Sequence, residues 1–147
     1  MFTHILFPTD TSECGNAGFD TAVEMARRFS ARITMLNIHE EFMDKQEMEN
    51  LRVSVEHYQE MMENKAKASR AAMETLAAKA DDVRVDVLIR EGNPRNTITE
   101  IAAEVGADLI VMSSNGRSNL KQALIGSVAE HVVRISTLPV LVVKIPR

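Results

Sequence analysis

Several absences narrow the reading first. The chain has one cysteine, Cys14, so it cannot close an internal disulfide, which is consistent with a reducing, cytoplasmic setting. It has no tryptophan and aromatics are only 4% of residues, which removes the stacking platforms that single-stranded nucleic acid needs. Net charge is −4 and no dense basic block is present. Neither nucleic acid nor an anionic membrane surface is therefore expected as the main partner. No apolar run reaches the roughly 18 residues a membrane helix needs. The first residues lack the basic flank and apolar core of a signal peptide. His4, His39, His57 and His131 lack the spacing of a metal site, alone or with cysteine. The Gly-rich signatures of P-loop and dinucleotide folds are absent, and so is the Gly-x-Ser-x-Gly elbow of a serine hydrolase.

What remains is an ordinary globular composition, 45% hydrophobic and 26% charged over 147 residues. That length is expected to form one domain, residues 1–147, with enough core to be stable without staples. Short apolar runs alternate with helical patterns. Ile5-Leu6-Phe7 reads as a first strand, ending in Pro8-Thr9-Asp10-Thr11-Ser12. Phe19, Ala22, Val23, Ala26 and Phe29 share one helical face, predicting a helix from about Glu13 to Ser30. Ala31–Ile38 reads as a second strand. From about Asp44 to Ala80 the 3/4 spacing of Met48, Leu51, Val55, Tyr58, Met62, Met73 and Leu76 predicts one long helix. Only Lys65 and Ser69 interrupt that stripe, and its methionines read as core filler.

Val83–Ile89 is the third expected strand. Pro94 opens the next helix and Gly106 closes it. Thr97, Ile98, Ile101, Ala102 and Val105 give that helix its buried side. Ala107–Met112 is the fourth strand and Pro139–Val143 the fifth. In the last helix Val128, His131, Val132 and Ile135 form the apolar line. Four near-continuously apolar strands separated by helices predict an α/β fold: an open, doubly wound parallel sheet of five strands with helices on both faces.

The most informative stretch runs from Leu109 to Val128, LIVMSSNGRSNLKQALIGSV. An apolar strand stops at Met112. A small polar segment follows, and Gly126-Ser127 then opens a helix. The first amides of a helix lack intrahelical partners and carry partial positive charge, so this order suits an anion. Ser127 is read either as the N-cap or as a hydroxyl donor to phosphate, and Arg117 and Lys121 could supply charge. The connection from Ser113 to Gly126 is longer than the roughly 2–6 residues usual between a strand and the following helix.

Ser113-Ser-Asn-Gly116, nine residues, then Gly126-Ser127 resembles the nucleotide loop of the universal stress protein family, in its ATP-binding branch. The match holds at Gly116, Gly126 and Ser127 and departs at Ser113, where that family usually has glycine. The resemblance implies a strand order 3-2-1-4-5 and a site where strands one and four diverge. It implies adenine nucleotide as ligand: ATP, or else AMP or ADP. Asp10 and Ile38 would hold the base and ribose end, with Pro8 and Thr9 in the same segment at the site; a main-chain group at Ile38 would pair with adenine. Ser113 and Gly116 would lie against the ribose and α-phosphate, with Met112, Asn115 and Arg117 also expected at the site. Gly126, Ser127 and Val128 would take the outer phosphates. Mg²⁺ or Mn²⁺ would enter through phosphate oxygens, since few carboxylates converge on the loop. Asp10 has the competing role of capping the first helix, and His39 would sit at the adenine edge.

The expected function is a nucleotide-binding stress-response switch with little or no hydrolysis, because no residue near the loop is placed to activate water. The alternatives are a slow ATP hydrolase or phosphotransferase using Arg117 and Lys121, and a nucleotide-free dimeric scaffold. The apolar last strand, at a sheet edge, is expected to form a homodimer. Gly126→Val is expected to block phosphate approach while leaving the fold intact.

Overall fold

A computed structural model describes residues 1–115 and 125–144. The strands are β1 His4–Pro8, β2 Arg32–His39, β3 Val85–Glu91, β4 Leu109–Ser113 and β5 Val140–Val143. The helices are α1 Glu13–Asn16, α2 Phe19–Phe29, α3 Lys45–Asn50, α4 Val55–Ala77, α5 Pro94–Val105 and α6 Ser127–Ile135. The sheet order is β3-β2-β1-β4-β5, with every pairing parallel. This is the five-stranded, doubly wound α/β arrangement expected.

Successive strand residues point to opposite faces, and two cores result. Ile5, Phe7, Ile33, Met35, Leu109 and Val111 pack with α2 and Met73 of α4. Leu6, Leu36, Ile110 and Met112 pack with Ile98, Ile101 and Ala102 of α5 and with Ala129 and Val132 of α6. The central strands β1 and β4 are buried throughout, whereas β3 and β5 at the edges are only half-buried. On α6 the burial centres on Ala129 and Val132. Ile135, expected to face inward, is 41% exposed, because α6 covers the sheet near its margin.

Two helices expected to be continuous are broken. The segment from Glu13 to Ser30 divides at Ala17-Gly18, where Gly18 caps α2. The break is tied to β4: Ser113 Oγ accepts from Gly18 N at 2.9 Å and donates to the Gly15 carbonyl at 2.8 Å. The segment from Asp44 to Ala80 divides at Leu51–Ser54. Arg52 takes a positive φ of 56°, and Ser54 starts α4 by accepting from His57 N. Asp44 caps α3 in the same way at Glu47 N. Both cap signals lie in the sequence, but the methionine periodicity masks them. The elbow leaves Leu51 and Val55 exposed, while Met48, Met62 and Met73 are buried as core filler. The interruptions also find partners: Lys65 Nζ lies 4.7 Å from the Phe42 ring centre, and Ser69 Oγ bonds His39 Nε2 at 2.9 Å.

At the amino end of the sheet Asp108 ties the chain start to β4. It accepts from Thr3 N, Thr3 Oγ1 and His4 N at 2.9–3.0 Å. Burial would raise its pKa, but these hydrogen bonds outweigh burial and hold it below the ordinary carboxylate value. The folded form is therefore favoured by ionisation. That contribution is complete above the unfolded pKa and is lost as pH falls through the lower folded value. Asp108→Ala is expected to cost about 2 kcal/mol at neutral pH, read by urea unfolding. The gap between variant and parent should close under acid; a gap independent of pH would refute the assignment.

Candidate functional site

Where neighbouring parallel strands send their connections in opposite directions, a crevice opens at their carboxyl ends. Here that point lies between β1, which continues toward β2, and β4, which continues toward β5. A cavity of about 330 Å³ occupies it, within the range of about 300–1,000 Å³ typical of small-molecule sites.

Three chain segments expected at the site converge there: Pro8, Thr9 and Asp10 after β1; Met112, Ser113 and Asn115 at the end of β4; and Gly126, Ser127 and Val128 at the start of α6. Ile38 of β2 also lines it. Gly116 and Arg117, with Lys121, lie outside the described residues. Sequence reasoning missed Gly15, Leu36, Pro94, Ile98, Ser114 and Ala129. Pro94 and Ile98 were the most accessible of these. A helix that opens after β3 in a parallel sheet starts at the same carboxyl edge, so Pro94 at its first turn was the available signal.

Much of the polar lining is engaged in shaping the wall. Thr9 Oγ1 donates to Asn16 Oδ1 at 2.6 Å and accepts from Thr11 N at 3.1 Å. The Thr9 carbonyl accepts from buried Asn37 Nδ2 at 2.8 Å. Asp10 Oδ1 accepts from Ser12 N and Ser12 Oγ. Ser12 itself caps α1 through Gly15 N. Asp10 is thus not the cap but its brace. A Cβ at Gly15 would collide with Asp10 Oδ1, so a side chain there would turn Asp10 away from Ser12. The Ser113 hydroxyl is engaged with Gly15 and Gly18.

The start of α6 also differs in detail. Gly126 is the N-cap, and among the described residues no side chain caps it. Ser127 is the first helical residue, which removes its N-cap reading. Gly126 N donates to the Ser114 carbonyl at 2.7 Å, pressing the helix start against the end of β4. The first amides of α6 remain beside the cavity with the positive end of the helix dipole. Leu36, Ile38, Ile98 and Met112 give the cavity an apolar lining.

His39 is not at this cavity. Strand alternation puts Ile38 on the α5/α6 side and His39 on the α4 side, where it bonds Ser69. Among the described residues no three His, Cys, Asp or Glu side chains cluster as metal ligands. No helix among them is long and apolar enough to cross a membrane.

The fold and cleft define an open α/β domain with a crevice at its switch point. The chain belongs to the universal stress protein family, whose model matches residues 1–144. Among curated relatives it is 32% identical over 155 residues to universal stress protein MJ0577 of Methanocaldococcus jannaschii, covering 98% of this chain and 96% of the relative. The solved structure of MJ0577 superposes with a TM-score of 0.77 at 29% identity, over 100% of this chain and 99% of that one. A universal stress protein in complex with cAMP matches at TM-score 0.67 and 22% identity, covering 97% of each chain. A family protein from Arabidopsis thaliana with AMP bound matches at 0.63 and 16%, over 98% and 92%. At those two identities the likeness concerns the fold.

Proposed function

We propose that residues 1–147 act as one adenine-nucleotide-binding domain, with ATP as the ligand read from the loop and AMP or ADP as its close alternatives. One observation carries this reading. The start of α6, without a side-chain cap among the described residues, lines a cleft that also presents apolar residues of β2, β4 and α5. Amides and Ser127 would take phosphate at one end, while Ile38, Leu36 and Met112 would take the base at the other. Asp10, at the β1 end, would meet the ribose. Two proteins that share this fold carry cAMP or AMP, which supports a nucleotide as the class of ligand.

A divalent cation fits only as a companion of the ligand. Among the described residues Asp10 is the one carboxylate in the lining, so Mg²⁺ or Mn²⁺ would be held mainly by phosphate oxygens, screening their charge. Asp10 lies at the β1 end, where this reading puts the ribose and not the phosphates, so it is not the base that would activate water. The domain is therefore read as a cytoplasmic binding switch in stress response with little or no turnover. Mass spectrometry of small molecules released from freshly purified, denatured protein tests the ligand: a stoichiometric adenine nucleotide is expected. An empty protein that also fails to bind ATP or AMP in calorimetry would overturn the reading and favour a nucleotide-free scaffold.

The same reading includes a homodimer. β5 is an edge strand with four half-buried apolar residues, Val140–Val143, so pairing with a second copy would satisfy its backbone groups. Sedimentation at micromolar concentration should give twice the 16.4 kDa chain mass; a monomer alone would remove the dimer.

A further inference from the structure

The turn that carries Asp10 has a backbone that its own residues do not favour. Thr11, next to Asp10, has a φ of 66°, a left-handed region that a β-branched residue enters only where its surroundings hold it. Local bonds supply part of that hold. Ser12 donates to Asp10 Oδ1 through both its amide and its hydroxyl. Ser12 Oγ in turn accepts from Gly15 N at 2.9 Å.

The rest comes from β4. Ser113 shares strand parity with Leu109 and Val111, so its side chain lies on the α2 side of the sheet. Its single hydroxyl proton goes to the Gly15 carbonyl at 2.8 Å, and its oxygen accepts from Gly18 N at 2.9 Å. Gly15 is thereby gripped at both peptide groups, by Ser12 at its N–H and by Ser113 at its carbonyl. Ser113, Gly15 and Gly18 are all buried, so removing the hydroxyl would leave two backbone groups unpaired away from water. The end of β4 is itself fixed, because Ser114 N donates to the Val143 carbonyl at 2.8 Å and the Ser114 carbonyl accepts from Gly126 N at 2.7 Å. A continuous run of bonds, Ser113 to Gly15 to Ser12 to Asp10, thus joins the β4 side of the cleft to the β1 side.

We propose that Ser113 is a positioning residue for sugar recognition: its hydroxyl fixes the turn after β1 so that Asp10 stands where ribose hydroxyls meet it. This role rests on the nucleotide reading of the cleft.

Full-length protein freed of nucleotide is titrated by calorimetry with ATP and with 2′,3′-dideoxy-ATP, which lacks both ribose hydroxyls. The parent is expected to prefer ATP by about tenfold or more, the effect of a hydrogen bond to a charged group. In Ser113→Ala, ATP affinity should fall to near that of the dideoxy analogue, whose own affinity should not change. Ser12→Ala, which cuts the same run at a half-buried residue, should lose the preference in the same way. In Asp10→Ala the preference is already gone, and adding Ser113→Ala should change neither affinity further. Thermal melts check that each variant is folded. A preference for ATP kept in either serine variant would overturn the proposal. So would equal weakening of both ligands, or a Ser113→Ala protein that does not fold, since either makes the hydroxyl structural alone. A parent that binds both ligands equally would remove Asp10 from the sugar and the proposal with it. A parent that binds neither would fail the nucleotide reading itself, and this role would fall with it.

Discussion

Ser127→Asp is expected to eliminate measurable nucleotide binding while leaving the protein folded. Ser127 is the first residue of α6, exposed on the cleft wall. A carboxylate at that position is welcome to the helix, because negative charge near an N-terminus is stabilising by about 0.3–1 kcal/mol. It is unwelcome to a phosphate, since it adds like charge where the amides would receive an anion. Two unit charges about 4 Å apart interact by about 4 kcal/mol at the effective dielectric of a protein surface. Even with half of that screened, ATP affinity should fall by at least about tenfold, and a loss of a hundredfold or more is the expected result. Ser127→Ala removes one hydroxyl and should cost only about 0.5–1.5 kcal/mol. Calorimetry with ATP and AMP, beside thermal melts of each variant, separates the two effects. Unchanged ATP affinity in a well-folded Ser127→Asp protein would move the phosphates elsewhere. A melting temperature that collapsed together with affinity would instead make the residue structural.

Gly126→Val is expected to cost both ligand and stability, which revises the expectation drawn from sequence. A Cβ on Gly126 would stand 2.9 Å from the Ser114 carbonyl oxygen and 3.2 Å from Asn115 Oδ1. The nearest neighbour is backbone and cannot rotate aside. Nor can the helix start retreat freely, because Gly126 N is bonded to that same carbonyl at 2.7 Å. Gly126 is therefore required by the close approach of two chain segments; its φ of −62° is open to any residue. Overpacking of this kind costs about 1–3 kcal/mol, and valine adds two methyl groups to the conflict. The melting point should drop by several degrees, and nucleotide binding should be lost because the amides after Gly126 are displaced. A variant as stable as the parent would overturn the close approach of α6 to the end of β4 as the reason for glycine at this position.

The α/β class was written in the residues. Runs such as Ile5-Leu6-Phe7 and Leu109–Met112 are apolar at every position, which only a strand covered on both faces tolerates. Pro94 and Gly106 marked the ends of α5 because each has a backbone property that suits one end of a helix. The cleft segments after β1 and β4, and the start of α6, were also legible, since polar turns directly after buried strands have few other places to go.

Other features depended on partners far along the chain. Nothing local to Ser113 says that its hydroxyl will reach back to Gly15 and Gly18, dividing a helix expected to be whole. The elbow at Arg52 is set by a backbone conformation that methionine periodicity conceals. His39 went to the wrong side in the sequence reading because a parity of one residue along β2 decides which face a side chain meets. Sequence by itself determined where strands and polar turns fall, since burial and backbone chemistry act through near neighbours. Only the tertiary structure decided which turns share a cleft and which polar groups are consumed in building its walls, because those partners are brought together by sheet order and packing.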